Sequence, residues 1–193
     1  MKAFFLILAA FFFLSCGSSR SIPHTESAKQ NQHEFWQNLK NICGKSFAGE
    51  VVAAPANDTT FKNKSLVMHV RSCIDNTIRV PFMVGDDRSR TWVFTRQGNL
   101  LQLKHDHRHR DGTEDSITQY GGLTTNTGLA GLQVFPADQF TTHLLPAAAT
   151  NVWWVELVEG KYFTYNLRRM GSDRWFSVRF DLSKEIETPP APW

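Results

Sequence analysis

The sequence predicts an all-β domain, mainly antiparallel, forming a single barrel or sandwich preceded by one short N-terminal helix. Three observations support this fold class. Runs in which apolar and polar residues alternate recur roughly every ten residues, which is typical of strands. Short segments rich in Gly, Asp and Asn separate these runs. One segment, residues 34–43, shows a helical period instead. Closely spaced strands of this kind favour a sandwich or a barrel.

The first segment of the chain, residues 1–15, has the features of an export signal. Lys2 supplies a positive charge, and twelve uninterrupted apolar residues run from Ala3 to Leu14. A helix that spans a bilayer needs about 20 residues, so this run is too short to be one. It fits the apolar part of a cleaved signal peptide.

The junction Leu14-Ser15-Cys16-Gly17 follows this apolar run, with the small Ser15 at the cleavage position. It resembles the lipobox of bacterial lipoproteins, although Phe13 stands where the commonest pattern has Leu. The resemblance implies a lipid on Cys16 that anchors an exported protein to the bacterial cell envelope, at the outer membrane or the periplasmic face. The polar residues that follow, up to residue 33, are predicted to be a flexible tether. The β domain is predicted over residues 34–184, with a Pro-rich tail at 185–193.

The predicted helix at 34–43 is defined by one apolar face. Phe35, Trp36, Leu39 and Ile42 share that face, and Gly44 ends the helix. If Cys16 carries lipid, Cys43 and Cys73 remain as a pair in an oxidising compartment, and we expect them to form a disulfide. Such a bond closes a loop of about 30 residues and contributes roughly 3–4 kcal/mol. Two buried free thiols are the alternative.

The strands follow in order. Alternation with turns at both ends predicts strands at 65–73, 77–84, 90–96, 152–158, 162–168 and 175–182. The Gly- and Thr-rich segment 121–132 is predicted to be a loop over the mouth of the barrel.

A further strand, which begins at Leu100, carries the most informative side chains. In an extended strand Leu101, Leu103, His105, His107 and His109 share one face, and the leucines mark it as the inner face. Asp106 and Arg108 then lie on the other face. The histidines therefore continue the inner stripe toward one end of the barrel.

Three histidines at a spacing of two residues suggest a divalent metal such as zinc. Residues i and i+2 lie about 6.5–7 Å apart along a strand, so two imidazoles can converge on one ion. The predicted metal ligands are His105, His107 and His109. A third ligand would come from a more distant residue, and the candidates are His69, His143, Asp86, Asp87 and Asp138. The alternative is a structural network in which inward histidines bond to neighbours, while Asp106 and Arg108 form ion pairs outside.

Two resemblances add to this interpretation. A helix followed by about eight to ten up-and-down strands is similar in layout to the lipocalin-like (calycin) barrels, which implies an inner cavity for one small ligand. The segments Gly85–Trp92, His105–His109 and Tyr120–Gly122 resemble a family of secreted bacterial proteins without a characterised activity. That second resemblance covers most of the domain and implies no function.

The leading functional hypothesis is noncatalytic binding of a small ligand or a metal ion at the histidine end of the barrel. The predicted ligand-binding residues are His105, His107, His109, Asp106, Arg108 and Trp92. A metal-dependent hydrolase or lyase using His105 and His107 is the alternative, and so is a purely structural envelope protein. With 21 basic and 18 acidic residues interspersed along the chain, the sequence lacks the basic stripe of a nucleic-acid-binding protein.

Overall fold

The computed structural model describes the backbone of residues 24–193 and the side chains from Gln30 onward. The predicted signal peptide and Cys16 lie outside the described residues. The helices of the described part are α1 (His24–Asn41), α2 (Gln139–Leu144) and a short 3-10 helix (Pro146–Ala148). The strands are β1 (Ser46–Ala53), β2 (Leu66–His69), β3 (Ser72–Ile74), β4 (Thr77–Val84), β5 (Asp87–Gln97), β6 (Leu100–His107), β7 (Tyr120–Leu123), β8 (Leu132–Pro136), β9 (Asn151–Val158), β10 (Tyr162–Arg169) and β11 (Trp175–Glu185).

These strands form one antiparallel sheet that curls into a nearly closed barrel. Its order is β7-β6-β5-β4-β2-β1-β11-β10-β9-β8, with β3 paired to β4 beside this path. The end strands β7 and β8 meet through a bridge between Gly122 and Ala137. The predicted fold class, an antiparallel β domain preceded by one helix, is confirmed, and the barrel is the form it takes.

The seam of the barrel depends on glycine. A Cβ atom placed on Gly122 would lie 1.7 Å from the carbonyl oxygen of Pro136, and one on Gly121 would lie 2.0 Å from that of Leu103. The hydroxyl of Thr141 completes the seam, because it donates to the carbonyl of Gly121 at 2.8 Å and accepts from its amide at 2.7 Å. The two glycines therefore allow the backbones to approach closely enough to close the barrel.

The interior is filled largely by aromatic rings. Trp92 of β5 lies between the rings of Phe82 and Tyr165, with centroid distances of 4.7 and 4.4 Å. Phe163 and Phe180 follow on β10 and β11, and both are fully buried. Side chains therefore occupy the middle of the barrel.

Helix α1 covers one end of the barrel. Phe35, Trp36 and Leu39 are buried in the core, as the predicted apolar face requires. The helix begins at His24 and not at residue 34, so ten residues of the predicted tether are helical. Residues 24–33 show no apolar residues at helical spacing, so these added turns could not be predicted from periodicity. Among the described side chains of these turns, the amide of Gln32 donates to the hydroxyl of Thr124 and to a neighbouring backbone carbonyl, both at 3.1 Å.

The predicted disulfide between Cys43 and Cys73 is present. It links the residue that follows α1 by two positions to strand β3, with 6.3 Å between the Cα atoms. The bond therefore fastens the covering helix to the wall of the barrel.

The predicted strands are present with changes at their ends, and the segment 65–73 is divided into β2 and β3. Sequence analysis missed β1, β7, β8 and α2. The first three residues of the predicted loop over the mouth belong instead to β7, because they pair with β6 in the barrel wall.

Candidate functional site

The site lies at the barrel end opposite α1. Helix α1 lies near the β5–β6 turn, where the guanidinium of Arg96 stands over the ring of Trp36. Strand β6 runs away from that turn, so His105 and His107 lie near its far end. Their partners on β5 are Trp92 and Arg90. As the alternation predicts, His105 is buried on the inner face.

Both ring nitrogens of His105 are hydrogen-bonded. Nδ1 lies 3.0 Å from the backbone carbonyl of Tyr120, and Nε2 lies 2.7 Å from the hydroxyl of Tyr165. A carbonyl can only accept, so Nδ1 of the neutral ring carries the proton and donates it. The Tyr165 hydroxyl then donates to Nε2. This arrangement fixes one tautomer of His105 and leaves no free lone pair on its ring.

The electrostatics keep His105 uncharged. Burial lowers the pKa of His105 to about 3, and repulsion from His107 and Lys104 acts in the same direction. The bond to the Tyr120 carbonyl opposes these effects without reversing them. At neutral pH the imidazole is therefore a neutral group inside the barrel.

Tyr120 connects the two inner histidines. Its ring stacks on His105 with 4.5 Å between centroids, and its hydroxyl lies 3.0 Å from Nε2 of His107. Burial raises the pKa of Tyr120 to about 12 and that of Tyr165 well above its ordinary value. Burial also lowers the pKa of His107, assisted by the charge of Arg90. The cluster is thus neutral and hydrogen-bonded throughout.

Above this cluster lies a pocket of about 170 Å³. Its aromatic walls include Trp92, Trp153 and Phe176, and the polar groups that reach it include Asn151 as well as the two inner histidines. Three arginines, Arg90, Arg169 and Arg174, also line it. A concave apolar site with a few convergent polar groups has the character of a small-molecule pocket.

The predicted ligand-binding residues lie in three different places. His105, His107 and Trp92 line the pocket. Asp106 and Arg108 lie on the outer face, where Asp106 accepts from Arg108 at 2.8 Å and from Arg79 at 3.2 Å. His109 follows the end of β6 and is exposed. The outer ion pairs are those that strand alternation predicts.

The five more distant metal-ligand candidates are also placed away from the pocket walls. His69 bonds to Ser46 at 2.9 Å, while Asp138 caps α2 and pairs with Lys104 at 2.6 Å. His143 and Asp86 are exposed, and Asp87 pairs with Arg90. Within residues 30–193, no three His, Cys, Asp or Glu side chains are grouped to hold a metal ion.

Several pocket residues were missed as site residues by sequence reasoning. Tyr165 and Leu167 alternate with outward residues on β10, so their inner position was readable from the strand pattern. Arg169 and Arg174 flank the turn between β10 and β11 and have no local signature of ligand binding. Only the curvature of the barrel brings them beside His105 and His107.

Comparison with known proteins adds no functional assignment: no protein-family model matches the chain, and no curated protein matches it either. Among the helices of the described residues, none has the length and apolar character needed to cross a membrane.

Proposed function

We propose that this protein is a noncatalytic, lipid-anchored binding protein of the bacterial cell envelope, and that it holds one small ligand in the pocket above His105 and His107. The pocket itself is the observation that carries the proposal. A barrel filled to its end by side chains would leave no space for a ligand inside it. In this barrel the side-chain packing ends before the histidine end and leaves a space with aromatic walls and polar groups.

The volume limits the ligand to about one ring. An engineered apolar cavity of about 150 Å³ holds a single benzene, and this pocket is of similar size. Trp92, Trp153 and Phe176 contribute aromatic surface to the pocket walls. A planar compound of roughly ten non-hydrogen atoms therefore fits better than a fatty acid or an oligosaccharide.

The proposed location depends on the sequence. The Leu14-Ser15-Cys16 pattern supports lipidation of Cys16 and export. The Cys43–Cys73 disulfide is compatible with an oxidising compartment.

Three ring compounds of matched size test the binding function: 4-fluorobenzoate, 4-fluorobenzamide and 4-fluorobenzylamine, each titrated with the protein and observed by ¹⁹F NMR. We expect at least one to bind with a Kd of about 1 mM or below, given that each has about ten non-hydrogen atoms. Leu145→Trp adds bulk to a residue that lines the pocket and should abolish this binding. Leu129→Trp is the matched control, since Leu129 is exposed and lies outside the pocket lining.

Two results would contradict the proposal. Failure of all three compounds to bind the folded protein is one. Equal binding by the protein and by Leu145→Trp is the other, because it would place the compounds elsewhere on the surface.

A further inference from the structure

The charged residues of the pocket are all of one sign. Arg90, Arg169 and Arg174 line it, and none of its lining residues within the described part of the chain is an Asp or a Glu. His105 and His107 supply no compensating negative charge, since both are neutral or cationic groups. The space therefore combines aromatic walls with a rim whose charged side chains are all positive.

The three arginines differ in what they bind inside the protein. Arg90 forms an ion pair with Asp87, its neighbour on the same strand. Arg169 donates from Nε to the side-chain oxygen of Asn151 at 3.0 Å, a neutral acceptor. Neither Arg169 nor Arg174 forms an ion pair with another of the described residues. Within the described part of the chain, two guanidinium groups at the pocket thus lack an anionic partner.

These two arginines are held close to each other by the backbone. The amide of Arg169 donates to the carbonyl of Arg174 at 3.0 Å across the turn that joins β10 to β11. Partial burial lowers the pKa of Arg169, and repulsion from Arg174 lowers it further. The positive charge of Arg174 also acts on the hydroxyls of Tyr120 and Tyr165, where it opposes the rise in pKa that burial causes. An anion bound between the two guanidinium groups would relieve this repulsion.

We propose that the ligand of this pocket is a small organic anion, an aromatic carboxylate of about one ring, whose carboxylate binds Arg169 and Arg174 while its ring lies against the aromatic walls of the pocket. This inference depends on the proposed binding function and names the class of its ligand. The planar fork of an arginine matches a carboxylate in two parallel hydrogen bonds, which a neutral amide cannot accept in the same way.

The three fluorinated compounds differ chiefly in charge, so they also test this inference. We expect the full-length protein to bind 4-fluorobenzoate about tenfold more tightly than 4-fluorobenzamide, the difference that one charge-assisted hydrogen bond supplies. 4-Fluorobenzylamine should bind most weakly of the three. In Arg174→Gln the preference for the carboxylate over the amide should fall to about threefold or less.

Arg169→Gln is the second test variant, and Arg71→Gln is the matched control. Arg71 is exposed and does not line the pocket, so its replacement removes the same charge from the surface alone. The control should keep the full preference for the carboxylate. Thermal unfolding of each variant confirms that it is folded before binding is compared.

The possible failures are distinguishable. Equal affinity for the carboxylate and the amide overturns the anionic ligand but leaves the binding function in place. A preference for the carboxylate that survives in both arginine variants also overturns it, since another group would then be responsible. If no compound binds, both the binding function and the ligand class are wrong.

Discussion

The stability of this protein should fall in acid because of one buried side chain, His105. Its imidazole is neutral and bonded through both nitrogens in the folded barrel, and its pKa there is about 3. In the unfolded chain the same group has the ordinary value of about 6.5. Between these two values the unfolded state binds a proton that the folded state does not.

The direction of the effect follows from that difference. The free energy of unfolding rises with pH wherever the unfolded state binds more protons. The stability is therefore fully present above about pH 7 and decreases as the pH falls through 6.5 toward 3. From pH 8 to pH 5 the decrease due to His105 alone amounts to about 2 kcal/mol, and below pH 3 it would approach about 5 kcal/mol.

The measurement is urea unfolding at pH 8 and pH 5, followed by tryptophan fluorescence. His105→Gln provides the comparison, because a glutamine side chain can donate to the Tyr120 carbonyl and accept from the Tyr165 hydroxyl without titrating. We expect the unmodified protein to lose about 2 kcal/mol more than His105→Gln over this range. The pKa values of His69 and His107 are also lowered, but both groups are present in each protein and largely cancel in the difference.

His143→Gln is the control, since His143 is exposed on α2. It should lose as much stability as the unmodified protein. Equal losses for the unmodified protein and His105→Gln would refute the reasoning, because they would mean that His105 takes up its proton equally well in the folded barrel.

Two further predictions concern the cysteines. Replacing Cys43 and Cys73 by Ser together should lower the free energy of unfolding by about 3–4 kcal/mol, measured by urea unfolding; a change below about 1 kcal/mol would show that the bond adds little constraint to the unfolded chain. In a bacterial host, the protein should incorporate radiolabelled fatty acid, and Cys16→Ser should not. Labelling that persists in Cys16→Ser would exclude lipidation at that residue.

The strands that could be predicted are those whose own side chains carry the pattern. In β4, alternation and flanking turns mark Thr77–Val84, and the structure has the same bounds. In β6, leucines that precede the histidines identify the inner face. Strand β7 lacks alternating apolar and polar side chains, because Gly121 and Gly122 stand where neighbouring backbones approach too closely for a Cβ atom. Its strand form comes from pairing with distant segments, which a local reading of glycines takes for a loop.

The site was predictable only in part for a similar reason. His105 and His107 could be identified because they lie on one regular strand. Their hydrogen-bond partners, Tyr165 above all, come from strands far away in the sequence and are brought close by closure of the barrel. The approach of Arg169 and Arg174 to these histidines was equally unpredictable from the sequence. Spacing along one strand therefore suggested a metal. In the folded barrel, both ring nitrogens of His105 and Nε2 of His107 are hydrogen-bonded to groups of Tyr120 and Tyr165.

The state of these histidines and tyrosines also bears on whether the site is built for proton transfer. A general base works best when its pKa lies near the working pH, yet the pKa of His105 lies near 3. A general acid has the same requirement, yet the pKa of Tyr120 lies near 12. His105 instead bonds to the Tyr120 carbonyl in one fixed tautomer, and the Tyr120 hydroxyl bonds to His107 on the strand of His105. Such a network favours a rigid floor that holds the aromatic walls and the positive rim in place, and a rigid floor is what the proposed binding of a small planar anion would require.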